Sequence, residues 1–246
     1  MFHHNLDNEI EKRIFVKWYL LAFLAGNVNA GGFLSAGKFI SHITGFATLF
    51  GVGVADGHYD QAAGILAVPA FFLIGVMISA LLIDHRFHKG LRPHYDWVMF
   101  LEFVSLALAA VLGHYQFFGI FGDAQRLKED FVLLALLCLA CGLQNGAITT
   151  ATGASVRTTH LTGLTTDLGI GLVRVWGMPH SGKDFRQEVR SNWLRIGTIM
   201  SFATGSVAGA ALFFRFHYLG FLLPAAIALY AMTQGRKHLV HPHTGF

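Results

Sequence analysis

One polar pattern occurs twice in the chain. Ser41-His42-Ile43-Thr44-Gly45-Phe46-Ala47-Thr48 matches Thr159-His160-Leu161-Thr162-Gly163-Leu164-Thr165-Thr166 at an offset of 118 residues. On a helix, positions i, i+3, i+4 and i+7 share a face. The spacing therefore predicts one hydroxyl stripe from Ser41, Thr44, Gly45 and Thr48, and a second from Thr159, Thr162, Gly163 and Thr166. Hydroxyls near the free amides of a short helix favour an anion or a polar group. The glycine lets a ligand or another helix approach closely. Small-residue glue between helices is the plainer use of such a stripe, and its repetition favours a binding site. His42 and His160 lie beside the stripes and could carry a coupling proton, or serve as hydrogen-bonded structural groups.

The segment before each stripe is repeated too. Leu24-Ala25-Gly26-Asn27-Val28-Asn29-Ala30 aligns with Ala140-Cys141-Gly142-Leu143-Gln144-Asn145-Gly146, which pairs Asn29 with Asn145 at an offset of 116. Both asparagines could satisfy freed backbone groups, their default role, or hold a substrate. Glycines 31, 32 and 37, and again 142, 146 and 153, predict loose backbone around each break. Such backbone is tolerated within a membrane only where protein buries it or a cavity wets it.

Two carboxylates fall well inside apolar segments. Asp167 follows Thr166, near the face of His160, and reads as a buried proton or cation relay. Arg174, Arg157 or Arg195 could instead hold it in an ion pair. Glu102 is a second candidate for coupling, near the end of its segment, where it could snorkel or pair with Arg92. His42, His160 and Asp167 could form a metal set, but their spacing does not demand one. There is no HExxH, nucleophile elbow or pair of carboxylates, so neither an enzyme nor a cofactor is expected. Cys138 and Cys141 lack the second ligand pair of a zinc site and read as small packing residues.

The elements that must position these groups follow from composition. The chain has 246 residues, of which 54% are hydrophobic and 13% charged, with a mean hydropathy of +0.51. Soluble domains carry about 25% charged residues, so a soluble enzyme, a disordered chain and a nucleic-acid binder are excluded. An all-α polytopic membrane protein remains. Eight apolar segments run roughly 14–36, 39–55, 62–83, 97–115, 131–150, 158–176, 193–214 and 218–233. The second and sixth are short and rich in glycine.

Lys12, Arg13 and Lys17, then Arg86, Lys89 and Arg92, then Lys183, Arg186 and Arg190, and finally Arg236 and Lys237 mark the cytoplasmic side, with both termini inside. The loop at Asp56–Asp60 and that from 116 to 130 fall outside. Two apolar segments separate the N-terminus from Asp56, yet the chain must cross an odd number of times. One crossing is therefore shared by a broken or re-entrant helix, and the same holds between Asp130 and Lys183. Together with the repeat, this predicts two inverted-topology halves of three net crossings each, 1–118 and 119–246, in one membrane domain. No cleavable signal peptide is expected at the N-terminus.

Three segments carry a resemblance to a known family: GNVNAGGFL (Gly26–Leu34), FISHITG (Phe39–Gly45) and GLQNGAITTATGASVRTTHLTGLTTDLG (Gly142–Gly169). In these residues the sequence resembles the YoaK-like family of uncharacterised bacterial six-span membrane proteins. The resemblance covers essentially the whole chain. It implies a bacterial inner-membrane protein of a family often labelled small-molecule transporters, without an established substrate. Two departures stand out. The family usually has Asp-Ala where this chain has Asn29-Ala30, and Thr-Gly-Asn where it has Thr44-Gly45-Phe46. The partners expected are the lipid bilayer and a small polar or anionic substrate; small-residue faces such as Gly205 and Gly209 could serve a second copy or merely internal packing. A channel with paired re-entrant segments, a membrane-embedded enzyme and a structural subunit are the alternatives.

Overall fold

The computed structural model describes residues 12–123, 127–152, 158–177 and 183–237, all in helices and short connections. The helices are α1 (Lys12–Ala36), α2 (Ile43–Ala55), α3 (Tyr59–Leu82), α4 (Asp84–His88), α5 (Tyr95–His114), α6 (Leu127–Ala151), α7 (Leu161–Gly177), α8 (Lys183–Phe216) and α9 (Leu222–Lys237). A 3-10 turn, His217–Phe221, joins the last two. Four stretches are each long and apolar enough to cross a bilayer: Phe15–Ala36, Tyr59–His88, Tyr95–His114 and Phe131–Ala151. A fifth, Asp184–Gln234, is 51 residues long and contains both α8 and α9. The protein is thus all-α, with the helices that a multi-pass membrane protein requires.

Lipid tails are as apolar as leucine side chains, so close packing must hold such helices together. Glycine provides it at two crossings. Along α1 and α8 a Cβ at Gly26 would overlap the Phe202 carbonyl, and one at Gly205 would overlap the Phe23 carbonyl. Along α6 and α3 a Cβ at Gly142 would overlap the Phe72 carbonyl, and one at Gly75 the Leu139 carbonyl. These two helix pairs make the most extensive contacts in the molecule. α5 and α9 pack on each other, α5 against α6 and α9 against α1. The main core runs through Leu24, Val28, Phe46, Leu106, Leu137, Phe213 and Phe221.

Several expectations need correction. Gly31, Gly32, Gly142 and Gly146 are not loose turns, because α1 and α6 run through them. A Cβ at Gly31 would overlap the Phe213 ring, and one at Gly146 would stand 2.6 Å from Ser79 Cβ. The first break comes later, at residues 37–42, where Gly37 has φ 64°. Gly153 lies outside the described residues. The basic residues Lys183, Arg186 and Arg190 are not in a loop: α8 starts at Lys183, about three turns before its apolar part. Gly205 and Gly209 serve internal packing of α8 on α1, Gly209 against Asn27.

Candidate functional site

The first break folds back on α1. After Gly37 the chain returns so that Ser41 meets Asn29, whose Oδ1 accepts hydrogen bonds from Ser41 N at 3.4 Å and Ser41 Oγ at 3.3 Å. Ile40 is buried against Gly32. α2 then sets off along α3, with Phe46 in the core. In the second half Thr159 Oγ1 donates to Asn145 Oδ1 at 2.8 Å, and Asn145 Nδ2 donates to the Cys141 carbonyl at 2.9 Å. α7 then packs along α8. Each short helix is thus tied to the preceding long one by an asparagine–hydroxyl clip. The Asn145 clip is buried, and the Asn29 clip is half-buried.

The predicted hydroxyl stripe is divided by this geometry. Ser41 and Thr159 precede α2 and α7 and turn inward to the asparagines. Thr44, Thr48, Thr162 and Thr166 lie within the helices and are exposed, while Gly45 and Gly163 are half-buried. Thr48 Oγ1 donates to the Thr44 carbonyl at 3.1 Å, and Thr166 Oγ1 to the Thr162 carbonyl at 2.9 Å. These hydroxyls are therefore satisfied by their own helix. His42 and His160 are exposed and stand just before α2 and α7, each beside the glycine three residues on. α2 packs on α3 and α7 on α8, and among the described residues the two segments share no extensive contact. No three potential metal ligands gather there either, so His42, His160 and Asp167 form no metal set.

Asp167 is exposed on α7, not buried. Its proposed partners are engaged elsewhere. Arg195 Nη1 lies 2.9 Å from Glu188 Oε1 and donates to Asn192 Oδ1 at 2.6 Å, and Arg174 Nη1 lies 3.8 Å from Glu188 Oε2. Arg157 lies outside the described residues. The physical reason is the rotation of α7. It turns Leu164 and Gly171 toward α8 and leaves Asp167 on the outer side.

Glu102 takes the opposite course. It neither snorkels nor meets Arg92: it is 0% exposed, and among the described residues neither carboxyl oxygen has a hydrogen-bond partner. Cys138 and Cys141 are free thiols packed in the core, and Cys138 Sγ donates to the Ile40 carbonyl at 3.6 Å.

Sequence reasoning missed three groups. Asn27 is fully buried with both amide atoms unpartnered among the described residues. Gln144 is fully buried and donates from Nε2 to the Leu21 carbonyl at 2.7 Å, which fastens α6 to α1. Glu188, Asn192 and Arg195 form the polar cluster of the α7–α8 contact. The glycine crossings had a signal that the motif search passed over: Phe72-Leu-Ile-Gly75 and Phe202-Ala-Thr-Gly205, the same spacing of Phe and Gly.

Over residues 18–234 the chain matches the family described as "Protein of unknown function (DUF1275)". The chain belongs to that family, which is the family of the YoaK-like proteins. No curated protein and no solved structure matches it.

Proposed function

We propose that the chain is an integral membrane transporter of a small polar or anionic molecule, built as two inverted-topology halves, residues 1–118 and 119–246. In this reading it is a bacterial inner-membrane protein with both termini cytoplasmic. One observation carries the reading: the clips Asn29–Ser41 and Asn145–Thr159 tie a short helix to a long one at equivalent positions of the repeated sequence. Other contacts fall into the same register. Gly26 and Gly142 meet carbonyls of α8 and α3, and Gly53 and Gly171 meet Ala62 and Asn192.

Paired discontinuous helices of this kind hold substrates in secondary transporters. Here the long helices are locked by glycine crossings, while α2 and α7 each pack chiefly on one neighbour. The short helices are then the moving parts, and the polar groups at the breaks, Asn29, Ser41 and His42 with Asn145, Thr159 and His160, form the substrate path. The exposed faces of Thr44, Thr48, Thr162, Thr166 and Asp167 gain partners when α2 and α7 move.

The test is flux of a panel of small anions and polar solutes into liposomes holding the purified protein. Saturable uptake, lowered by Asn145→Ala and Asn29→Ala in folded protein, supports a transporter. Linear, non-saturating conductance supports a channel instead. Single cysteines in the Asp56–Asp60 loop and at positions 183–190 should label from opposite sides of the membrane, and labelling from one side would sink the inverted repeat.

A further inference from the structure

Glu102 sits in the middle of α5, at a level where that helix packs on α6 and α9. Its side chain is wholly enclosed. Buried polar groups normally have partners, and a group without one calls for an explanation. Nearby hydroxyls do not supply it, since Ser105 Oγ donates to the Leu101 carbonyl at 2.9 Å.

No cation is at hand among the described side chains either. The sequence has no Lys or Arg in Tyr59–Leu82, in Tyr95–His114, in Phe131–Ala151 or in Leu222–Gln234. Within those stretches the ionisable groups on the packed helices are few. On α6 there are Cys138 and Cys141, both buried free thiols. On α9 there is Tyr230, which is exposed. α3 offers Tyr59 and Asp60 in its first turn. On α5 itself Tyr95, Asp96 and His114 lie toward the two ends, and His217 and Tyr218 belong to the 3-10 turn beside His114's end.

An ionised carboxylate without a partner cannot be held there at reasonable cost. A carboxyl kept in such a place bears no charge while it is enclosed.

We propose that Glu102 is the proton-carrying group of the transport cycle. It is neutral while enclosed between α5 and α6, and it gives up its proton to water when the bundle rearranges to wet it. The proposal rests on the transporter reading above and moves the coupling role from Asp167 to Glu102.

The experiment needs no substrate. The full-length protein in liposomes of phosphatidylethanolamine and phosphatidylglycerol is treated with dicyclohexylcarbodiimide, which reaches carboxylic acids through lipid and modifies their protonated form. Peptide mass spectrometry then follows the adduct on Glu102 across a pH series. The expected result is an adduct in mild acid that declines about tenfold per pH unit beyond its midpoint, and that is unchanged in Asp167→Asn. An adduct of constant yield across the series marks a permanently neutral structural acid and overturns the proposal, as does no adduct at any pH. Glu102→Gln should fold and lose the adduct at that position; the wild-type series decides the question even if that variant fails to fold. Saturable solute flux with pH-independent labelling overturns this proposal alone. Titrating labelling without saturable flux overturns the transporter reading, and with it the role in a transport cycle.

Discussion

The contact of α2 with α3 and that of α7 with α8 place two glycines 118 residues apart, Gly53 and Gly171, against different chemistry. In the first, Gly53 lies against Ala62, with 3.1 Å between a Cβ added there and the Ala62 Cβ. In the second, Gly171 lies over Asn192, Arg195 and Glu188, where an added Cβ would overlap Asn192 Oδ1. The first contact is apolar and non-directional. The second sets polar side chains of α8 beneath α7, with Arg174 of α7 3.8 Å from Glu188 of α8. The clips differ in the same sense: the Asn145 bond is short and buried, and the Asn29 bonds are long and half-buried. The second short helix is therefore held more firmly than the first. In the transporter reading proposed above, these unequal restraints let one end open before the other.

The comparison assumes that the glycine crossings form a common rigid frame, and breaking that frame should have the largest effect. Overpacking a tight contact costs about 1–3 kcal/mol and occasionally more. Because the obstacle at Gly142 and Gly26 is backbone, Gly142→Val and Gly26→Val should each cost about 3 kcal/mol. Thermal unfolding in detergent, followed by tryptophan fluorescence, measures this. Gly64, which has nothing within 4 Å of an added Cβ, is the control, and Gly64→Val should leave the Tm almost unchanged. Equal losses at Gly64 and Gly142 would dissolve the rigid frame.

The next effect separates the two short-helix contacts. Glu188→Gln removes the charge that Arg174 of α7 meets at 3.8 Å and that Arg195 of α8 itself meets at 2.9 Å, with Glu188 and Arg195 mostly buried. A hydrogen bond to a charged group contributes about 1.5–3 kcal/mol, and a loss of about 2 kcal/mol is expected from the same unfolding assay. Ala62→Ser in the first half touches no such network and should cost less than half as much. A reversed order would mean that the ion cluster is held no more firmly than the apolar contact.

The clips sharpen the comparison further. Asn145→Ala loses two hydrogen bonds, both of them buried, and should cost about 1–2 kcal/mol, whereas Asn29→Ala should cost about 0.5 kcal/mol. Limited proteolysis at the residue 37–42 break should quicken in Asn29→Ala, and equal stabilities of the two variants would remove the asymmetry between the clips.

The smallest effect is expected at Asp167. Its side chain is exposed, and the nearby arginines bind Glu188. Asp167→Asn should leave the Tm unchanged, which circular dichroism checks. A marked loss of stability would restore the ion pair that the structure assigns to Glu188.

Much of this was legible before any coordinates. Helix count and class follow from apolar runs too long and too free of charge to fold in water. The interruptions between α1 and α2 and between α6 and α7 fall between neighbouring apolar segments of the sequence, after Asn29 and Asn145. The roles of individual polar residues were less legible. Helical spacing groups Ser41 and Thr159 with the later threonines, but α2 and α7 start after them. Gly31, Gly32, Gly142 and Gly146 look loose in the sequence because glycine marks both flexible turns and tight crossings, and spacing within one helix does not tell these apart.

The sequence by itself determined a membrane-spanning helical bundle, its repeated polar pattern and its short, glycine-rich second and sixth segments. Those depend on local composition and on periodicity, which each segment carries alone. Tertiary packing set that Asp167 faces outward, that Glu102 is enclosed without a partner among the described residues, and that Arg174 of α7 meets Glu188 of α8. Each of these outcomes is set by the rotation of one helix against another. That rotation comes from the packing of glycines on distant backbone, such as Gly26 on Phe202 and Gly142 on Phe72, and no window of sequence contains both sides of such a contact.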